Sequence, residues 1–175
     1  MNTSDPAARF ERTKCACRLC AISCEHLPGA LSPADVGRIA THLGYATIES
    51  FADECLLRSE GATLQMRDGR MVSLPTLVPA TRENGACRFH VDGKCDIHAV
   101  SPFGCSHIDA HMPDSEFRRR SDALHESLLD DFEQNGAYTR LCAHLEATGR
   151  AALPRATRQY RLAKAMRKEF GGKKK

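Results

Sequence analysis

Apolar residues recur at helical spacing in several stretches of the chain, and each of these stretches predicts a helix. After Ser32, a residue favoured at helix N-caps, Pro33 occupies the first helical position, and Val36, Ile39 and Leu43 form one apolar face. The other stretches with this signature are 48–57, 114–135, about 138–147, and a basic stretch that begins at Pro154.

Two further stretches alternate apolar and polar residues around a turn signal, which predicts β-hairpins. The first spans residues 62–79 and has Asp68-Gly69 at its turn, and the second spans 87–98 and has Asp92-Gly93. A loop-like stretch, 99–113, follows the second hairpin. The mixture predicts an α+β fold: a small domain with short β-hairpins and several helices, and a helical C-terminal part.

Composition and pattern predict four segments along the 175 residues, of which only one is rich in cysteine. They are a mobile N-terminal arm over 1–14, a cysteine-cluster metal-binding domain over 15–112, a helical extension packed on it over 113–149, and a basic C-terminal helix and tail over 150–175.

Charge is distributed unevenly along the chain. Residues 151–175 carry nine Lys or Arg and one acid, a balance of +8, so that the other 150 residues sum to −5 within the net charge of +3. Such a tail can meet an acidic protein or RNA, although a solvated helix with a lysine-rich end has the same pattern. The sequence has no Trp and no aromatic interleaving in this tail that would indicate a nucleic-acid module.

The first twenty residues contain no apolar run, and no stretch is long and apolar enough for a membrane span. We therefore expect a cytoplasmic protein, whose thiols are kept reduced. The odd count of nine cysteines also argues against a disulfide framework. Clustered thiols in a reducing compartment indicate metal ligands or redox groups.

Seven of the nine cysteines fall in two groups, and this arrangement predicts a discontinuous metal site. Closely spaced thiolates can reach one ion without strain, and they are the soft donors that zinc, iron and iron–sulfur clusters select. Cys55 and Cys142 lie on apolar faces of predicted helices and are expected in the core. The two groups are Cys15, Cys17, Cys20 and Cys24, and then Cys87, Cys95 and Cys105.

The stretches "CRLCAISC" and "ENGACRFHVDGKCDIHAVSPFGC", with "GRIATHLG" at 37–44 between them, resemble the CxxCxxCC zinc- or iron-chelating domain family, also called YkgJ-like cysteine cluster proteins. The resemblance covers about residues 15–111 and implies a metal site more firmly than a reaction. The ligands it implies are Cys17, Cys20, Cys24, Cys87, Cys95 and Cys105.

Several positions depart from the family's pattern. Ser23 stands where the third cysteine of the leading motif belongs, and whether the additional Cys15 replaces it is left open. His98 occupies a tyrosine position of the family, and His98 and His107 flank the last two cysteines, so both join the predicted ligands at a lower rank. His111 completes an H-x3-H spacing with His107, but it falls in a loop-like stretch and is left out of the predicted set.

The thiol count favours an iron or iron–sulfur site with a redox or electron-transfer role, because six or seven thiols exceed the four that one tetrahedral zinc ion needs. A structural zinc module that acts through partner contacts is the alternative. A metalloenzyme with an open coordination position and a metal-trafficking protein remain open as well. In each case we predict one shared site that draws cysteines from both groups.

The second hairpin decides whether Cys87 and Cys95 share a face, since side chains alternate along a strand. A two-residue Asp92-Gly93 loop would point them to opposite faces. A three-residue loop over 91–93 would pair His90 with Lys94 and place both cysteines on one face. Shared ligation therefore favours the three-residue loop.

Overall fold

The computed structural model describes residues 5–15, 17–66 and 68–171, and within them it confirms the predicted α+β class. Seven α-helices and two antiparallel hairpins make up the described part of the chain. The helices are α1 Arg18–His26, α2 Pro33–His42, α3 Ile48–Cys55, α4 Phe103–Ser106, α5 Asp114–Glu133, α6 Ala137–Ala147 and α7 Arg155–Phe170. The strands are β1 Leu56–Gln65, β2 Met71–Pro79, β3 His90–Val91 and β4 Lys94–Cys95, with 3-10 turns at Pro6–Arg9 and His98–Val100.

The first hairpin is longer than its sequence pattern predicts. β1 begins at Leu56, directly after α3 ends, and pairs with β2 from Leu56 opposite Pro79 to Gln65 opposite Met71. The register shifts between Ser59 and Ala62, where Gly61 has a φ of +75°. A Cβ there would lie 1.7 Å from the carbonyl oxygen of Leu74, so that only glycine fits this bulge.

The hydrophobic core lies between the first hairpin and helices α2, α3, α5 and α6. Phe51 and Leu145 are completely buried in it, and Cys55 and Cys142 pack in the same core, as expected for thiols on apolar helix faces. The Tyr138 hydroxyl accepts a hydrogen bond from the Leu77 amide at 2.6 Å and donates one to the Leu31 carbonyl at 3.0 Å. This buried hydroxyl ties α6 to β2 and to the segment before α2.

The predicted three-residue loop in the second hairpin is wrong. Val91 pairs with Lys94, and Asp92 and Gly93 have φ values of +48° and +78°, which are the signs of a type I′ turn. Aspartate tolerates the left-handed region, so the two-residue turn forms without a bulge. The face argument does not apply to Cys87, because it lies outside β3, in an isolated bridge with Thr81.

Both ends of the described chain lie against the domain. Phe10 packs 6.2 Å from the ring of Phe103, and Arg12 donates hydrogen bonds to the carbonyls of His98 and Ala99. α7 packs against α1, where Arg18 and Glu169 form an ion pair at 2.9 Å. None of the helices in the described ranges is long and apolar enough to cross a membrane.

Asp35 joins α2 to the short helix α4. Its Oδ2 accepts the backbone N–H groups of Ser32 and Phe103, each at 2.7 Å, and its Oδ1 pairs with Arg38. The side chain is fully buried, and burial raises the pKa of its carboxyl against the opposing effect of these three partners. Asp35 therefore fixes the position at which α4 begins, and with it the position of Cys105.

We expect Asp35→Ala to destabilise the protein by about 3 kcal/mol, because two buried N–H donors and the half-buried Arg38 lose their acceptor. Asp35→Asn is the matched control: its amide oxygen can still accept both N–H groups, so a loss of only about 1–2 kcal/mol is expected. Urea unfolding of the two variants measures the difference. Equal losses of unfolding free energy in the two variants would contradict the role of Asp35 as the acceptor of the two N–H groups.

Candidate metal centre

Three cysteines and one histidine converge at the N-terminal end of α1. The ligand atoms of Cys15, Cys17, Cys20 and His111 all lie within 4.8 Å of one another, and this set, here called the first cluster, could hold a metal ion. In a tetrahedral site with metal–sulfur bonds of about 2.3 Å, neighbouring ligand atoms lie about 3.8 Å apart. The first cluster therefore has the size of a site for a single ion.

Local structure explains the position of each ligand in the first cluster. Cys17 is the N-cap of α1, and its Sγ accepts the N–H of Cys20 at 3.5 Å. Cys20 lies in the first turn of α1. His111 is oriented by an Asx turn in which Asp109 accepts the His111 N–H at 2.8 Å.

Interactions at the first cluster shift the pKa values of Cys17 and Cys20 in opposite directions. The N–H of Cys20, followed by the hydrogen bond from His111 at 3.1 Å, lowers the pKa of Cys17 to about 6. At neutral pH Cys17 is therefore mostly thiolate, the form that binds metals. Burial, with the neighbouring thiols Cys15 and Cys17, raises the pKa of Cys20 to about 12. A bound cation would reverse this shift, because a coordinating thiol is deprotonated.

The other four predicted cysteine ligands lie outside the first cluster, and they are here called the second group. Cys105 donates a hydrogen bond to Cys24, which lowers the pKa of Cys24 and raises that of Cys105. Burial, together with charge on Cys24 and Cys95, raises the pKa of Cys87 to about 12. The second group thus consists of Cys24, Cys87, Cys95 and Cys105.

A cavity of about 600 Å³ lies between the first cluster and the second group. Thiols from both line it: Cys15 and Cys20 from the first, and Cys24, Cys95 and Cys105 from the second. Its other lining residues include Arg12, Lys94, His90 and His98.

The two lower-ranked histidines occupy different surroundings. His98 is exposed and lines the cavity. His107 is buried, stacks on the ring of Phe103 at 4.7 Å, and has its Nδ1 2.9 Å from the Ser106 hydroxyl. Burial, with the charges of nearby arginines, lowers the pKa of His107 to about 4. The ring is thus neutral at physiological pH and packs in the interior.

Sequence reasoning left out His111, whose imidazole completes the first cluster. Its partner Cys17 lies 94 positions away, so no local spacing marks the pair. The H-x3-H spacing with His107 was the only indication in the sequence. It would place both histidines on one face of a helix, but no helix forms over residues 107–111. Comparisons with family models, with curated proteins and with solved structures find no match.

Proposed function

We propose that the protein binds iron through its cysteines and serves as a redox or electron-transfer protein, with Cys15, Cys17, Cys20 and His111 as the ligands of one centre. The observation that carries this proposal is the convergence of these four donors within 4.8 Å. Three soft thiolates and an imidazole are donors that suit iron as well as zinc. Iron in a thiolate site supplies one-electron redox chemistry, which hydrogen bonds to the sulfurs tune.

Exposure of the first cluster supports exchange of electrons with a partner. Cys15 is exposed and Cys17 and Cys20 are only partly buried, so a partner can approach the ligands closely. Cys17 accepts the backbone N–H of Cys20 at sulfur, at 3.5 Å. Such a bond stabilises the more negative, reduced state of a thiolate-bound centre. The protein supplies ligands, orientation and this N–H donor.

The partner proposed for this exchange is an acidic protein. α7 is basic and lies against α1, the helix that carries Cys20. Arg167 and Lys168 are exposed in the last turn of α7, whose Glu169 pairs with Arg18 next to Cys17, and they supply positive charge on the side of the first cluster. An RNA partner is the alternative for the same charge. Because all nine cysteines are free thiols, we propose that the protein works in a reducing compartment such as the cytoplasm.

Structural zinc is a second candidate, and the geometry of the first cluster favours it specifically. Three thiolates and one imidazole in a space of single-ion size form a closed tetrahedral set of the kind found in structural zinc sites. The ligands also come from segments far apart in sequence, since Cys17 and His111 are separated by 94 positions. An ion there would pin the loop after α4 to the start of α1.

Metal analysis and visible spectroscopy on anaerobically purified protein separate these candidates. Iron in stoichiometric amount, with absorption in the visible range that bleaches on reduction, is the expected result. Stoichiometric zinc in a colourless protein would overturn the redox proposal and leave the structural one. Protein that arrives metal-free and fails to bind Fe²⁺ or Zn²⁺ on reconstitution would overturn both. Cys142→Ala serves as the control for general damage, because this thiol is buried in the core.

A further inference from the structure

Cys17 and Cys20 form a C-x-x-C pair at the start of a helix. Cys17 is the N-cap of α1, and Cys20 lies in its first turn, three residues later. Their sulfur atoms belong to the set of ligand atoms that lie within 4.8 Å of one another. Residues three apart on a helical turn have Cα atoms about 5 Å apart, well inside the ~7 Å that a disulfide can bridge. The two thiols can therefore form a disulfide without rearrangement of the helix.

The surroundings of Cys17 favour it as the attacking sulfur of this pair. Its Sγ accepts the N–H of Cys20 at 3.5 Å and lies 3.1 Å from Nε2 of His111. A helix N-terminus with an N–H donor, and an imidazole within hydrogen-bonding distance, are the surroundings in which cysteines act as nucleophiles. Cys17 is also only partly buried, so a disulfide on another molecule can reach its sulfur.

Cys20 is placed to complete a reaction that Cys17 begins. It lies in the first turn of α1 and lines the cavity of about 600 Å³ on the inner side of the first cluster. Because both residues belong to the start of one helix, Cys20 stays beside Cys17 while a substrate is attached there. Cys15, the third thiol of the cluster, precedes the helix and is exposed, so that helix geometry does not set its distance to Cys17.

We propose that the first cluster, when free of metal, exchanges disulfides with other molecules, with Cys17 as the nucleophile and Cys20 as the resolving thiol. Cys17 Sγ forms a bond to one sulfur of the substrate disulfide, and the other substrate sulfur leaves with the proton that Cys17 gives up. Cys20 Sγ then attacks Cys17 Sγ, gives up its own proton, and releases the second substrate sulfur as a thiol. The protein thereby loses two electrons and two protons, and the substrate gains them as two thiols.

This activity goes beyond the proposed metal site, and only its relation to metal rests on that proposal. A metal ion on the first cluster occupies the sulfurs that would attack, and a disulfide between Cys17 and Cys20 removes two thiolate ligands. Metal and disulfide therefore exclude each other, so that a disulfide substrate also displaces the metal. Two thiols of a reductant such as glutathione return the pair to the dithiol by the reverse steps.

Reaction of the reduced, metal-free full chain with oxidised glutathione, and separately with a disulfide-bonded protein such as insulin, tests this activity. Peptide mass spectrometry locates each disulfide that forms. The parent is expected to form the Cys17–Cys20 disulfide with at least one probe, and the probe that reacts identifies a small-molecule or a protein substrate. Cys55→Ser is the matched control, because Cys55 lies in the core beside Tyr45 and outside the first cluster, and it should react as the parent does.

Two variants test the separate roles of the thiols. A Cys15→Ser/Cys20→Ser double variant keeps no neighbouring thiol in the first cluster, so the substrate should stay attached to Cys17 as a mixed disulfide. Cys17→Ser should form neither the mixed disulfide nor the disulfide with Cys20. A mixed disulfide on another cysteine in the double variant would overturn the role of Cys17, and a parent disulfide between Cys15 and Cys17 would overturn that of Cys20.

The outcomes distinguish this activity from the metal site. If Cys17 and Cys20 stay reduced with both probes, the exchange activity is overturned, whether or not the chain binds metal. If their disulfide forms in a chain that binds neither Fe²⁺ nor Zn²⁺, the metal site is overturned and the exchange activity holds.

The buried thiol of Cys142 reports whether the metal-free chain stays folded, because it should form no mixed disulfide in the folded state. If Cys142 reacts, the chain needs metal to fold, and the reaction is run on zinc-loaded protein instead. Release of the zinc together with formation of the Cys17–Cys20 disulfide is then expected. Zinc that stays bound while Cys17 and Cys20 remain reduced in excess disulfide would overturn the proposal.

Discussion

Cys17→Ser is expected to strip the first cluster of its metal and to destabilise the metal-loaded protein strongly. A serine hydroxyl stays protonated and is a hard donor, so it does not replace a thiolate on a soft ion. Serine can still cap α1, because its Oγ can accept the Cys20 N–H that Cys17 Sγ accepts at 3.5 Å. The metal and the stability lost in Cys17→Ser therefore reflect a missing metal ligand, because the helix cap is retained. Where free metal stands about 1,000-fold above the dissociation constant, the stability lost is about 4 kcal/mol.

Metal content after dialysis and thermal unfolding of the same samples measure this effect. Cys142→Ala is the matched control, since it removes a buried thiol on α6 that belongs to neither set of candidate ligands. It should keep its metal and lose only about 1 kcal/mol, the scale of one buried group of that size. Full metal content in Cys17→Ser, or metal loss in Cys142→Ala, would contradict the assignment.

Gly29→Ala is expected to destabilise the protein by about 3 kcal/mol or more, because two backbones touch at this point. A Cβ on Gly29 would lie 2.1 Å from the carbonyl carbon of Gly104, and a Cβ on Gly104 would lie 2.6 Å from the Ala30 nitrogen. Neither neighbour is a side chain that can rotate away. The segment after α1 must therefore separate from α4, which also moves Cys105 from Cys24.

Gly37→Ala provides the control in the same part of the chain. Gly37 lies within α2, and a Cβ there has nothing within 4 Å. Alanine is favoured over glycine in a helix by about 0.5–1 kcal/mol, so this variant should be slightly more stable than the parent. Chemical denaturation and Co²⁺ titration of both variants give the comparison. A Gly29→Ala protein as stable as Gly37→Ala would show that the close approach is dispensable.

Helices with local start signals could be predicted from the sequence. α2 begins at Pro33 after Ser32, as its apolar spacing and cap residue indicate, and α5 begins at Asp114, as its apolar spacing indicates. α3 ends two residues early, because Leu56 starts β1 without a linker. The strand itself was partly missed, since its bulge at Gly61 interrupts the alternation on which strand prediction depends.

The candidate site was predictable only in its local part. Four thiols in ten residues indicate ligands without knowledge of the fold, and the structure brings Cys15, Cys17 and Cys20 together. The short helix α4 was predicted as loop, because it begins where the distant Asp35 accepts the Phe103 N–H. The contact of His111 with Cys17 likewise depends on tertiary structure, which spacing does not encode.

The long sequence separation of the ligands has a consequence for the order of events during synthesis. Cys17 leaves the ribosome 94 residues before His111, which at about 5–20 residues per second is a delay of about 5–20 s. The ion pair that holds α7 on α1 joins residues 151 positions apart, so α1 is covered later still. During this interval the nascent thiols have no complete coordination sphere. Metal loading of the first cluster must therefore follow translation of the loop after α4, and early oxidation of these thiols would compete with it.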